Sequence, residues 1–448
     1  MNDLGAYFKG KKITVMGLGL LGRGVGDSAY LARAGAELIV TDMKPAADLK
    51  ESLQRLSSYP NITYVLGEHR MEDFIGRDII LKAAGVPLDS PYIAAARKDG
   101  AKIAMSGALF AKLSGVPVIG VTGTRGKSTV THMIDHVLRH ATEGAAVLLG
   151  GNVRGVSNLE LLERVEEGSL AVMELDSWQL QGFGEERMSP HISVFTNFME
   201  DHMNYYKGDM EAYFADKANI FRYQEQADVL VTTRAVFERA EAFMRETGEE
   251  LTMDVRLVDA SILPEDCLLS MPGEHNRLNA ALAMEALRAT SLTDEEIVDG
   301  LASFPGVPGR LEYLGTIDGV KVYNDNNATT PQATSEGLRA VADGKNIVLI
   351  AGGADKNIDL APLVSAIGDH AKAVVLLPGT GTERLRGRLD ARVAKTLEEA
   401  VEEALRLASP GDVVLFSPGF ASFGIFKNEY DRNDQFVNAV HERQAREL

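Results

Sequence analysis

The sequence predicts an α/β protein of three consecutive domains, and three observations carry that expectation. The chain has 448 residues, too many for one hydrophobic core at ~100–200 residues per domain. Short apolar strand-like runs alternate with helical stretches throughout, the pattern of parallel sheets joined by crossover helices. Glycine-rich turns at Gly17–Gly22 and Gly123–Gly126 each stand between such a run and a helical stretch. The expected divisions are 1–113, 114–305 and 306–448.

The first division opens with Lys12-Ile13-Thr14-Val15-Met16, passes through the glycine turn into a helix reaching Arg33, and continues as a strand at Glu37–Thr41 ending in Asp42. This is a βαβ unit. Strand-like runs at Asp78–Lys82 and Lys102–Met105, with Gly85 and Pro87 breaking between them, extend a parallel sheet. A fresh start at Pro117–Thr122 enters the second glycine turn and a helix from Ser128 to about His140. Strands at Leu170–Glu174 and Ile192–Thr196, with helices around Met210–Phe221 and Asn276–Thr290, fill out the second division. Phe304-Pro305-Gly306-Val307-Pro308-Gly309 reads as a linker because prolines and glycines interrupt both regular structures. Strands at Val320–Asn324, Asn346–Ile350, Ala373–Leu377 and Asp412–Phe416 form the third division. The expected architecture is a Rossmann-like domain, a P-loop-type domain and a second Rossmann-like domain.

Composition narrows the partners. With 45% hydrophobic and 25% charged residues the chain is an ordinary globular protein. Its formal net charge of −18 at pH 7 opposes docking on a polyanion, so nucleic acid is not an expected partner and any phosphate must be held by a local site. Cys267 is the only cysteine, which leaves no internal disulfide and makes the cytoplasm the expected compartment. No apolar run approaches the ~20 residues needed to cross a bilayer, and the first residues lack a basic-then-apolar signal pattern. A monomer acting on small molecules is expected.

Gly17-Leu18-Gly19-Leu20-Leu21-Gly22 has the G-x-G-x-x-G spacing, and Asp42 lies 20 residues beyond Gly22. Such a turn lets backbone N–H groups approach a diphosphate, in NAD, FAD or a nucleotide sugar. Gly123-Thr124-Arg125-Gly126-Lys127-Ser128-Thr129 is more specific. Its N–H groups can cradle phosphate, Lys127 can neutralise terminal phosphates and Ser128 can reach Mg²⁺. The usual spacing has a glycine where this chain has Val121, so the loop is a shortened variant. Glu174 ends one strand, and Glu200-Asp201-His202 follows the next; strand ends are where open α/β sheets place ligands. Read singly, Lys217 is a solvated lysine. His275, Asn276 and Asn279 could read an adenine edge or cap a helix, and Asp325 and Lys356 sit in turn-forming segments.

Taken in order, these residues resemble the Mur ligases, and within them the glutamate-adding branch. The resemblance covers nearly the whole chain and includes Gly150-Gly151-Asn152, Glu174–Leu180, Glu200–Met203, Lys217, Gly273–Asn276, Pro308-Gly309-Arg310, Asn324-Asp325, Gly353–Lys356 and Ser417-Pro418. It implies that the first domain binds the UDP of UDP-muramoyl-alanine through Leu20, Leu21, Asp42, Lys44 and Gly85, with Asn152 touching the same acceptor. It implies that ATP is bound by Gly123, Thr124, Arg125, Gly126, Lys127, Ser128, Thr129, Asn276, Asn279, Arg310 and Asp325. Two Mg²⁺ ions are implied, one on Ser128 and Glu174 and one on His202 and Lys217, the lysine being carbamylated in family members. Lys127, Glu174, His202 and Lys217 are then the catalytic set, and Thr329, Lys356 and Ser422 the amino-acid set. The implied reaction is ligation of glutamate, expected as D-glutamate, to UDP-N-acetylmuramoyl-L-alanine through an acyl phosphate, in peptidoglycan precursor synthesis.

This chain departs from the family pattern in its last third. Where D-glutamate-adding members carry a lysine it has Asn327, and where they carry a phenylalanine it has Glu429, in Lys427-Asn428-Glu429-Tyr430. Asp176 and Gly309 replace a usual serine and histidine. A ligase adding L-glutamate or another amino acid to the same acceptor is therefore the alternative within the family. Lys427 and Arg432 are further candidates for an amino-acid carboxylate. An NAD-dependent oxidoreductase would leave the Lys127 loop without work, and a non-catalytic scaffold would not need Lys127, Glu174, His202 and Lys217 together.

Overall fold

The computed structural model describes residues 4–19, 22–141, 147–271 and 273–446. The chain forms two compact units, Met1–Cys267 with Leu278–Leu301, and Leu268–Arg277 with Ala302–Leu448.

The first unit holds two parallel sheets. In one, β1 (Lys12–Met16), β2 (Glu37–Asp42), β3 (Ile62–Leu66), β4 (Ile79–Lys82) and β5 (Lys102–Ala104) take the order β3-β2-β1-β4-β5. In the other, β6 (Val118–Thr122), β7 (Val147–Gly151), β8 (Leu170–Glu174), β9 (Ile192–Phe195), β10 (Val229–Thr232) and β11 (Asp254–Leu257) take the order β11-β10-β9-β6-β8-β7. Central strands such as Val118–Thr122 are buried along their whole length, as strands covered by helices on both faces must be. In each sheet the strand followed by a glycine turn, β1 or β6, lies where the strand order reverses. A crevice opens there because the flanking connections leave on opposite faces.

The two sheets of this unit share one apolar core. Leu109 and Phe110, from the helix Ser106–Ser114, and Leu180 and Phe183, from the helix Ser177–Glu186, are within 1% of fully buried in the same cluster. Polar ties reinforce it. Buried Asp27 accepts from Ser157 Oγ at 2.7 Å and Leu159 N at 3.1 Å, and Arg33 pairs with Glu163 at 2.9 Å. Burial raises the Asp27 carboxyl above the usual range, against the lowering effect of those hydrogen bonds.

The second unit is built on β12 (Glu312–Ile317), β13 (Val320–Asn324), β14 (Ile347–Ala351), β15 (Ala371–Leu376), β16 (Arg392–Val393) and β17 (Val413–Phe416), in the order β12-β13-β17-β14-β15-β16. Only the β12–β13 pair is antiparallel. Asp318 and Gly319 join that pair with φ of 48° and 78°, the positive values of a two-residue hairpin turn. Separate apolar clusters cover the sheet, one around Phe416 and Phe436 and the other around Leu349, Leu363 and Phe420.

The α/β class and all the expected strands and helices are present, with ends shifted by a few residues. The helix expected to reach Phe221 stops at Ala218; Phe221 still packs, fully buried, from the following turn. Of the strands not singled out in the sequence, β3, β7, β11, β12 and β16 are sheet edges; in β3, β11, β12 and β16 half-exposed residues break the apolar run, whereas β7 is nearly all buried. The remaining one, β10, is interior and fully buried. Cys267 is buried and forms no disulfide among the described residues. Among the described residues no helix is long and apolar enough to cross a membrane.

Candidate active site

The second glycine turn links β6 to the helix Lys127–Ala141. Its backbone is fixed from the end of β9: Thr124 N donates to Asn197 O at 2.9 Å, Arg125 N to Asn197 Oδ1 at 2.8 Å, and Thr196 Oγ1 to Arg125 O at 2.5 Å. Gly126 has φ of 81°, and a Cβ there would overlap Asn279 Oδ1. Left-handed backbone and close approach together make glycine obligatory at this position. Asn279, expected in the nucleotide set, therefore abuts the turn, while Ser128 and Thr129 occupy the first turn of the helix.

Two lysines converge on one carbonyl of this turn. Lys127 Nζ donates to Gly123 O at 3.0 Å and Thr124 O at 3.2 Å. Lys217 Nζ donates to Gly123 O at 2.8 Å and Thr122 Oγ1 at 3.4 Å. Read alone in the sequence Lys217 is a solvated lysine; in the fold it is 1% exposed. Burial first, then the Lys127 charge, pushes its ammonium well below the ordinary lysine range, against the opposing pull of Asp176, Asp201 and Asp216.

Glu174 ends β8, in register with Val121 of β6, so its carboxylate stands beside the turn. It is 5% exposed. Among the described residues it receives one side-chain hydrogen bond, from Asn152 Nδ2 at 3.4 Å, and makes no ion pair. A buried carboxylate without a counter-charge suits a bound cation. Among the described residues no three His, Cys, Asp or Glu side chains gather to ligate a metal.

His202 stands in left-handed backbone with φ of 56°, between the rings of Trp178 at 4.7 Å and Tyr213 at 6.0 Å. Burial lowers its pKa first, with Lys127 and Lys217 acting in the same direction and Asp201 against it. A neutral imidazole is the form that can ligate a metal. Asp201 lies 3.7 Å from Arg125, whereas Glu200 is exposed.

At the first glycine turn, Asp42 accepts from Gly19 N at 3.0 Å and Lys44 N at 2.9 Å, and so closes the turn from the end of β2. Lys44 is exposed, and the space around Gly85 is open. Leu20 and Leu21 lie outside the described residues. Asn152 meets Arg23 of this region: Arg23 Nη1 donates to Asn152 Oδ1 at 2.5 Å.

In the second unit the expected residues collect at the carboxyl ends of β13, β14 and β17. Asp325 accepts from Ser417 Oγ at 2.8 Å and Leu311 N at 3.3 Å, and burial pushes its carboxyl up to about 7 against these bonds and Arg310. Lys356 Nζ donates to Thr329 Oγ1 at 3.2 Å. Ala354 pairs with Ala421, which brings the Lys356 loop alongside Ser422, itself 5% exposed. Asn276 is buried on the helix Glu274–Leu287.

The departures at 327 and 429 acquire structural roles here. Asn327 donates from Nδ2 to Pro308 O at 3.2 Å and from its backbone to Gly309 O at 2.9 Å. Glu429 begins the helix Glu429–Ala445, capped by Asn428, where an acid suits the helix dipole. Arg432 is fully buried, and its guanidinium bonds Asn326 Oδ1 at 2.8 Å, Asn326 O at 2.8 Å and Phe420 O at 3.1 Å. It is therefore withdrawn as a candidate for an amino-acid carboxylate, whereas Lys427 is exposed.

The sequence reading passes over Arg23, Lys82, Thr196 and Asn197. Thr196 and Asn197 could have been found, since they follow β9, a neighbour of the turn-bearing strand. Lys82 is 2% exposed and donates to Val86 O at 2.9 Å. Burial lowers it to about 8, opposed by Asp176, Asp216 and Glu185. Nothing in its local sequence distinguishes it from a surface lysine.

Comparisons with known proteins bear on this site. Residues 11–105 match a family model described as the Mur ligase MurD-like N-terminal domain, 121–253 the Mur ligase middle domain, and 309–420 the Mur ligase glutamate ligase domain. The chain is 36% identical to a UDP-N-acetylmuramoylalanine--D-glutamate ligase from Roseiflexus, over 96% of this chain and 98% of that one. A solved UDP-N-acetylmuramate-alanine ligase from Thermotoga maritima is similar in fold, with a TM-score of 0.59 and 19% identity over 96% of this chain and 99% of the other. A folylpolyglutamate synthase from Mycobacterium tuberculosis, solved with ADP and AMPPCP, gives a TM-score of 0.55 and 18% identity over 75% of this chain and 93% of the other.

Proposed function

Because the chain belongs to the Mur ligase family, we propose that it joins D-glutamate to UDP-N-acetylmuramoyl-L-alanine while ATP is cleaved to ADP and phosphate, a cytoplasmic step of peptidoglycan precursor synthesis. The observation that carries this reading is the convergence of Lys127 and Lys217 on the Gly123 carbonyl beside the unpaired carboxylate of Glu174. Two ammonium groups on one carbonyl repel each other. The arrangement is relieved if Lys217 is carbamylated, its amine adding to carbon dioxide with loss of a proton to give a carboxylate-like oxygen pair.

Ser128 and Glu174 would hold one Mg²⁺, and His202 with carbamylated Lys217 a second; when bound, these ions supply positive charge that offsets the phosphate oxygens. The turn's N–H groups, fixed by Thr196 and Asn197, bind the phosphates without reorganising. An oxygen of the acceptor carboxylate attacks the γ-phosphorus, the bond to ADP breaks, and Lys127 stabilises charge on the transferring group. The deprotonated amine of glutamate then attacks the acyl-phosphate carbonyl, and phosphate leaves as the amide forms. Thr329, Lys356 and Ser422 would take the carboxylates of glutamate, without the lysine that related enzymes carry in place of Asn327.

The test is phosphate release by the purified chain with the UDP-linked acceptor, ATP and a panel of D- and L-amino acids. Turnover with D-glutamate above all others supports the reading. Preference for L-glutamate moves the chain to the alternative specificity, and turnover with none of the panel removes the proposal.

A further inference from the structure

Arg23 opens the helix that follows the first glycine turn, yet among the described residues its one side-chain hydrogen-bond partner follows a strand of the other sheet. Its Nη1 donates to Asn152 Oδ1 at 2.5 Å, a short charge-assisted hydrogen bond. Asn152 follows β7 and is tied to β8 twice: its backbone N donates to Glu174 O at 2.7 Å, and its Nδ2 points to Glu174 Oε1 at 3.4 Å. Because the guanidinium can only donate and the carboxylate can only accept, the Asn152 amide has one satisfied orientation, oxygen toward Arg23 and nitrogen toward Glu174. Among the described residues Arg23 makes no ion pair. In a chain with 64 acidic side chains against 46 lysines and arginines, a half-buried arginine directed at a neutral amide has a role other than pairing charge.

We propose that Arg23 is a positioning residue for the acceptor: it fixes the Asn152 amide, so that the group expected to touch the acceptor also stays in register with the carboxylate at the phosphate-transfer site. The proposal rests on the reading of Asn152 as an acceptor contact. Without Arg23, Asn152 Oδ1 loses its one donor among the described residues and the amide is free to turn away from the acceptor, while the backbone bond from Asn152 N to Glu174 O keeps Glu174 in place. The adenine- and ribose-facing parts of the nucleotide site are untouched.

The experiment is steady-state kinetics of Arg23→Leu, Arg23→Lys, Asn152→Ala and the Arg23→Leu/Asn152→Ala double variant, with melting curves as a check on folding. Arg23→Leu should raise KM for the UDP-linked acceptor roughly ten-fold, the value of a hydrogen bond to a charged group, and change KM for ATP less than about two-fold. Arg23→Lys, which keeps a charged donor, should recover part of the loss. In the Asn152→Ala background the leucine substitution should add little further, because its effect runs through the amide. Effects of Arg23→Leu and Asn152→Ala that multiply, an equal rise in KM for ATP, or an unchanged KM for the acceptor would each overturn the role of Arg23. Wild-type protein that fails to use the UDP-linked acceptor would overturn this proposal together with the reading beneath it.

Discussion

Replacing Asp325 with asparagine should stabilise the second unit above neutral pH, and the gain should disappear in acid. The carboxyl of Asp325 is 7% exposed, and its two oxygens accept from Ser417 Oγ and Leu311 N. Burial raises it from 3.8 to about 7. Since the folded state holds this proton more tightly than the unfolded chain, stability falls as pH rises between these two values, and the whole penalty is present above about pH 7. At ~1.36 kcal/mol for each pH interval the penalty is on the order of 4 kcal/mol. Asparagine has the same shape, can accept from Leu311 N through its oxygen and can donate to Ser417 Oγ through its nitrogen, so Asp325→Asn removes the ionisation and keeps both contacts. Urea unfolding followed from about pH 4 to about pH 8 should show the variant gaining over wild type as pH rises, up to a few kcal/mol. A difference between the two proteins that does not change with pH would refute the reasoning, because it would mean that the buried carboxyl is not the group titrating.

Lys127→Ala should abolish turnover by removing the ammonium that faces the phosphates, at a cost of about 3–4 kcal/mol in the barrier, while melting stays near that of wild type; near-normal phosphate release would remove Lys127 from the chemistry. Lys217→Ala should be nearly inactive and partly restored by acetate, a small carboxylate replacing the proposed carbamate; loss that acetate never relieves, with an unmodified lysine found by mass spectrometry of the active wild type, would contradict the carbamate. Lys356→Glu should raise KM for glutamate about ten-fold or more and KM for ATP much less, whereas equal changes would take Lys356 out of the amino-acid site.

Much of this molecule was legible in the sequence because its signals are local. The glycine turns, the buried strands before them and the strand-end residues Glu174 and Asp42 are fixed by short-range chemistry, and they appear in the fold where the spacing places them. Edge strands such as Asp254–Leu257 were not legible, since a strand open on one side need not be apolar throughout. The site was legible only in outline. Lys217 lies 94 positions from Gly123, and only the fold shows its ammonium on that carbonyl, in a fully buried setting. Arg23 and Asn152 are 129 positions apart, and nothing in either segment announces the other. Arg432 belongs with these: an arginine in a charged helix looks available to a carboxylate, and its burial depends on Asn326, 106 positions away, as well as on the nearer Phe420.

The central claim is that the turn at Gly123–Thr129 transfers phosphate from ATP to a carboxylate of the acceptor before the amide forms. Acceptor labelled with heavy oxygen in that carboxylate, incubated with ATP and D-glutamate, tests it directly, because attack by the carboxylate leaves one of its oxygens bonded to phosphorus. Mass analysis of the released inorganic phosphate should show one labelled oxygen for each amide formed, with the other label kept in the product carbonyl. Unlabelled phosphate accompanying amide formation would contradict the account.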